Sequence, residues 1–149
     1  YRHFGDKSGL YRALAARHID ELLDRLRTAL LTRVGLAART RATVDAYLSS
    51  IEGNPQIYRF LIQRATVEEP DVRGEVEGFV RRFGDELAAG IRNEPTLQGI
   101  SASRATVWAH GIAGMVQAAG DWWLDHPEVP RSTVVDELTA LLVAGFDLD

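Results

Sequence analysis

Residues Pro70–Ile91, PDVRGEVEGFVRRFGDELAAGI, decide the reading of this chain. Val72, Val76, Phe79, Val80, Phe83, Leu87 and Ile91 recur at steps of three and four, and the positions between them are mostly charged or glycine. That spacing draws one apolar stripe along an α-helix and cannot be laid on one face of a strand, whose side chains alternate every second residue. Pro70 suits the first turn, because its missing N–H would have no partner there anyway.

The same period extends outward in both directions. Upstream, Asp6 can cap a helix whose inward face is Leu10, Leu14, His18, Leu22, Leu26 and Leu30, running to about Arg33, with Gly35 as its stop. A second helix is expected from near Thr40, carrying Val44, Tyr47, Leu48 and Ile51. Asn54 and Pro55 then open a third, which presents Ile57, Tyr58, Leu61 and Ile62 and closes at Glu69. Downstream, residues 93–100 read as a loop, and Ser101 or Ser103 caps a long helix reaching His126. A last helix after Pro130 shows Val134, Val135, Leu138, Leu141, Leu142 and Phe146. No stretch alternates long enough to make a strand, so the fold class is all-α, a multi-helix bundle.

A chain of 149 residues can bury one core without crosslinks, and with no cysteine it has neither disulfides nor thiolate metal sites. No run approaches the ~18 apolar residues of a membrane span, and the first residues lack an export signal, so no membrane partner is expected and the protein reads as cytoplasmic. The net charge of −4 excludes a uniformly basic nucleic-acid binder, but the charge is unevenly spread. Residues 1–69 carry 11 basic and 8 acidic side chains, whereas residues 70–149 carry 6 and 13. A polyanion would therefore be met at the amino-terminal end.

That end begins Tyr1-Arg2-His3-Phe4-Gly5-Asp6-Lys7-Ser8-Gly9-Leu10-Tyr11. The Tyr1 hydroxyl, His3 imidazole and Lys7 ammonium are hydrogen-bond donors suited to phosphate oxygens, and Phe4 and Gly5 would pack and bend the turn that holds them. These eleven residues resemble the signature of TetR-type transcription regulators, in which an aromatic, a His or Tyr, Phe and Gly precede Lys and a new helix. The resemblance implies a remnant of a DNA-binding helix-turn-helix domain in residues 1–11, together with the start of the connecting helix, and an effector-binding and dimerisation domain in residues 12–149. It also implies that the base-reading helices precede Tyr1, so that the chain beginning there should bind operator DNA poorly. The intact protein would be a repressor released by a small apolar or aromatic effector.

From the family's plan, an effector cavity among the middle helices is expected to draw on Tyr47, Tyr58, Phe79, Phe83, Trp108, Ile112 and Met115, with Gln63, Arg64, His110 and Gln117 as orienting polar groups. Simple core packing would explain the same aromatics. The fifth helix is dense in small residues, including Gly111, Gly114 and Ala118, which let another helix approach closely. With Trp122 and with Val135, Leu138 and Leu142 of the last helix, these resemble the family's four-helix interface of a homodimer.

Enzymatic chemistry finds little footing. His18 with Glu21 and Asp121 with His126 stand near one-turn spacing, but neither has the second motif that a helical metal site requires. There is no Gly-rich phosphate loop or nucleophile elbow, and no cofactor or metal is expected. The rival reading is a helical dimerisation module with no ligand and no DNA activity.

Overall fold

The computed structural model describes residues 2–61 and 66–146, with side chains described from residue 9 onward apart from that of Thr66. Seven α-helices follow one another among the described residues: α1 (Arg2–Thr32), α2 (Leu36–Gly53), α3 (Pro55–Arg59), α4 (Thr66–Glu68), α5 (Pro70–Arg92), α6 (Ala102–Leu124) and α7 (Arg131–Phe146). A 3-10 turn, Pro95–Leu97, interrupts the α5–α6 connection. No strand occurs among the described residues.

The stripe of α5 behaves as its spacing demands. Val72, Val76, Phe79, Phe83, Leu87 and Ile91 are all buried, and α5 lies along α6 and α1 more extensively than along any other element. Leu23 and Leu26 of α1, Val44, Tyr47, Leu48 and Ile51 of α2 and Val116 of α6 complete the innermost layer. On its far side α2 is covered by α7, and three ion pairs stitch the two together: Arg41–Asp136 at 2.6 Å, Arg131–Asp45 at 3.1 Å and Arg131–Glu52 at 2.5 Å. All are largely exposed, so each contributes ~1 kcal/mol or less.

Gly35 and Gly120 are each fixed by geometry. Gly35 turns the chain between α1 and α2 at φ +95°, a backbone region that side chains with a Cβ rarely enter. Gly120 lets α6 pass close to α2, because a Cβ there would stand 2.9 Å from the Tyr47 ring and 3.0 Å from Ile51. The Ser101 cap forms as expected, its hydroxyl accepting the Arg104 amide at 3.2 Å.

Three boundaries differ from the sequence reading. α1 begins at Arg2 and continues through Gly5 and Asp6, so Asp6 is not its cap. At ~1.5 Å per residue its 31 residues make a rod of about 46 Å. α2 starts at Leu36, four residues before the expected Thr40, because Ala37 and Ala38 are strong helix formers and the Arg39 amide already bonds the Gly35 carbonyl at 3.0 Å. The expected third helix changes character: α3 is α-helical to Arg59 and widens into a π turn at residues 60–61, residues 62–65 lie outside the described residues, and Thr66–Glu68 is again helical. Arg59 bonds the Leu124 carbonyl and pairs with Asp125 at 3.1 Å, tying α3 to the end of α6.

Candidate functional site

A cavity of about 90 Å³ lies against the middle of α1. His18, Ile19, Leu22 and Arg25 occur at intervals of one, three and three residues, which places them along one side of that helix as the near wall. Ile51, Ile57, Tyr58, Leu61, Val76 and Phe79 close it from α2, α3 and its π turn, and α5, and Gln117 reaches in from α6. The interior is apolar and the mouth is polar. Arg25 donates to the Ser50 hydroxyl at 3.0 Å, which in turn donates to the Ala46 carbonyl at 2.7 Å, while Glu21 is held by Arg17 at 3.3 Å.

Behind the cavity runs a chain of hydroxyls. Tyr58 donates to Asp121 Oδ1 at 3.0 Å, and the single proton of each phenol then makes Tyr47 the donor to Tyr58 at 2.5 Å. Burial pushes both phenols upward in pKa, so both stay protonated at neutral pH and can act as donors. Burial also raises Asp121; the hydrogen bond from Tyr58 opposes this and the neighbouring Asp125 adds to it. A carboxyl raised in the folded state binds its proton more readily there than in the unfolded chain. Its stabilising contribution is therefore full at low pH and lost as pH rises through the folded value. Asp121→Asn keeps an acceptor for Tyr58 and has no charge to bury. It is expected to be at least as stable as wild type at pH 7 in urea melts, with the difference shrinking towards about pH 4, the ordinary carboxylate range. A large loss of stability at pH 7 would show that the charge itself is needed.

The aromatics expected around one cavity are distributed among several places. Tyr58 and Phe79 line the space beside α1. Phe83 and Ile112 line a second cavity, of about 60 Å³, toward the carboxy-terminal ends of α5 and α7. Tyr47, 1% exposed, stacks on Phe83 with ring centroids 6.5 Å apart and belongs to the wall between the two. Trp108 and Met115 line neither of these two cavities: Trp108 packs edge-on against Phe146 at 5.6 Å beneath Arg104, and Met115 lies on the outer face of α6. Among the orienting groups, Gln117 reaches the first cavity, His110 sits in the notch left by Gly84, and Gln63 and Arg64 lie outside the described residues. The sequence reading put His18 and Leu22 in the core stripe of α1 and did not place them at a cavity. A histidine inside an apolar stripe was the available signal.

The outer face of α6 is a second candidate surface. Val107, Gly111, Gly114, Met115, Ala118 and Trp122 are exposed along it at helical spacing, and Leu141 of α7 is 58% exposed. Trp122 stacks on His126, whose Nδ1 lies 2.9 Å from the Trp122 carbonyl; Asp121 turns instead to Tyr58, so Asp121 and His126 have different partners. Val135 and Leu142 do not join this face. They are 4% and 6% exposed and belong to the chain's own core, whereas Leu138 is half-buried. The exposed side of α7 is the one carrying Glu137, Ala140, Leu141 and Ala144. Of the expected phosphate donors, Tyr1 lies outside the described residues. His3 and Lys7 fall in the first turns of α1, with side chains outside the described set.

A family model described as Tetracyclin repressor-like, C-terminal domain, matches residues 25–147. The HTH-type transcriptional activator FasR of Mycolicibacterium smegmatis is 32% identical over 126 residues, covering 85% of this chain and 56% of that protein. Uncharacterized HTH-type transcriptional regulators from two strains of Mycobacterium tuberculosis, CDC 1551 / Oshkosh and H37Rv, are each 27% identical over 142 residues, covering 95% of this chain and 59% of theirs. The chain thus spans between half and two thirds of the length of these relatives. With helix order, apolar stripes and the match over residues 25–147 in agreement, the chain belongs to the TetR family of regulators, as a C-terminal domain of the tetracycline-repressor type.

Proposed function

We propose that this domain gates DNA binding in a TetR-type transcription regulator: it dimerises through the outer face of α6 and the exposed side of α7, and it takes a small apolar or aromatic effector in the cavity beside α1. The observation that carries the proposal is the composition of the cavity wall. His18, Ile19, Leu22 and Arg25 all come from α1, the rod whose other end begins at Arg2 with the signature residues. An effector seated there presses on the element that would carry the reading heads. Tyr1, His3 and Lys7 are proposed as phosphate contacts that fix the register of those heads without reading bases.

In a symmetric dimer, two such rods set the spacing of two readers, which must match successive major grooves about one helical turn apart. Reversing the balance between a matched and an unmatched spacing needs an effector that prefers one state by about 5.5 kcal/mol. Repression is the sign implied by the resemblance, whereas the M. smegmatis relative is named an activator. The same gating serves both, because the sign follows from where the operator lies relative to the promoter. Among the described residues no helix is long and apolar enough to cross a membrane.

The test uses the protein extended by its preceding residues. Apolar and aromatic compounds are screened for a rise in melting temperature, since a ligand that binds only the folded state raises it. A hit is expected to lose its effect in Ile57→Trp, which fills the first cavity, and to change the affinity for operator duplex at least tenfold. Compounds that stabilise the protein but leave duplex affinity unchanged would refute gating. If no compound stabilises it, the domain acts as a dimerisation module.

A further inference from the structure

The second cavity, about 60 Å³ in volume, is separated from the first by the aromatic wall of Tyr47, Phe79 and Phe83, the two phenylalanine rings lying 5.8 Å apart. Its lining is mostly apolar; the Thr40 and Thr43 hydroxyls on it are committed to the Leu36 and Arg39 carbonyls, and Glu94 and Arg39 are its charged groups. Glu94 is only 3% exposed. Its Oε2 accepts the Thr96 amide at 3.3 Å and so caps the 3-10 turn, a task that one oxygen completes. The other oxygen, Oε1, has no hydrogen-bond partner among the described residues. The nearest cationic nitrogen, Arg39 Nη1, stands 3.8 Å away, too far for a hydrogen bond, and Arg39 Nε is committed to the Arg33 carbonyl at 2.9 Å. Buried acceptors are rarely left so, because the cost of desolvation is then uncompensated.

We infer that this cavity is a binding site for a small neutral molecule with an apolar body and one hydroxyl, the hydroxyl bridging Glu94 and Arg39. A hydroxyl suits the pair because it is both donor and acceptor: it donates to Oε1 and accepts from the guanidinium. A carboxylate head would be repelled by Glu94 and an ammonium head by Arg39. Arg39 is about a quarter exposed, so it can swing outward by the small distance that the insertion needs. The site goes beyond the effector cavity of the proposed function and shares only its dividing wall.

Three probes with the same two-carbon skeleton, small enough for this cavity, test the assignment by amide chemical-shift titration of the chain: ethanol, acetate and ethylamine. Ethanol is expected to shift amides of residues 36–44 and 87–94 saturably, and the two charged probes to bind there at least tenfold more weakly. In Glu94→Gln an amide N–H₂ can take the place of Oε1, so ethanol should weaken while acetate gains at least tenfold. Ile112→Phe, which narrows the cavity, should remove the ethanol response. Equal binding of ethanol and acetate to the wild-type chain would overturn the head-group assignment. Shifts confined to residues 18–25 and 50–58 would overturn the site and leave the effector cavity standing.

Discussion

Ala118→Arg is expected to turn the proposed dimer into a monomer, weakening self-association at least 100-fold while leaving the helical fold of each chain intact. Ala118 is exposed in the single chain, with Gly114 and Trp122 one turn away on either side of it and Met115 beside it. Helices meeting across Gly111, Gly114 and Ala118 can bring their backbones close only because no side chain intervenes. An arginine there holds the helices apart. Across a two-fold axis it also brings two guanidinium groups together in a desolvated seam. A penalty of about 2.7 kcal/mol suffices for the 100-fold change. Within one chain the substitution costs almost nothing, because arginine is nearly as good a helix former as alanine. Sedimentation velocity over a concentration series separates the two effects, and circular dichroism reports on the fold. A variant that sediments as wild type does would remove α6 from the interface. Trp122→Ala, which deletes an aromatic anchor without adding charge, should weaken association in the same direction by a smaller factor.

This face shows where the sequence was legible and where it was not. The density of small residues in 109–120 marked α6 as a contact helix, and Trp122, adjacent to Trp123 and so about 100° away on the helix, had to diverge from it. The structure obeys: Trp123 is 4% exposed and bonds the Val129 carbonyl at 2.7 Å, whereas Trp122 is 51% exposed. The stripe of α7 misled. Val134, Val135, Leu138, Leu141 and Leu142 wrap more than one side of that helix, so the period alone could not say which side faces α2 and which faces out. The decisive information is the set of α2–α7 ion pairs, Arg41–Asp136 above all, and it joins residues 95 positions apart.

The cavity beside α1 was hidden for a related reason. Ile19 and Leu22 of its near wall are residues that any amphipathic helix would bury, and a cavity is a shortfall of packing volume, which no single position encodes. Tyr58 and Phe79 do line it, as large aromatics with a polar handle or a long reach often do around such spaces. Trp108 and Met115 shared the composition and not the location. The π turn at residues 60–61 escaped notice too: residues 55–68 look continuously α-helical by period, and the contacts of Arg59 and Tyr58 with Asp125 and Asp121 join positions more than sixty residues apart.

Phe83→Ala is expected to cost about 3–5 kcal/mol. Phe83 is 2% exposed and is held between Phe79 and Tyr47 with ring centroids 5.8 and 6.5 Å away. Its removal forfeits the buried ring and opens the wall between the two cavities, so the space left behind cannot collapse without moving α5 away from α2. Against a domain stability of about 5–15 kcal/mol, such a loss lowers the melting temperature by roughly 10 °C or more. Phe83→Leu keeps most of the volume and should lose about a third as much, which provides a folded reference if the alanine variant is too unstable to purify. An enlarged apolar space stays dry and accepts apolar solutes. Saturating benzene should therefore raise the melting temperature of Phe83→Ala by several degrees more than that of the wild-type chain. A loss below ~1 kcal/mol, or no differential effect of benzene, would mean that the helices close over the gap and that the two spaces are not divided by this ring.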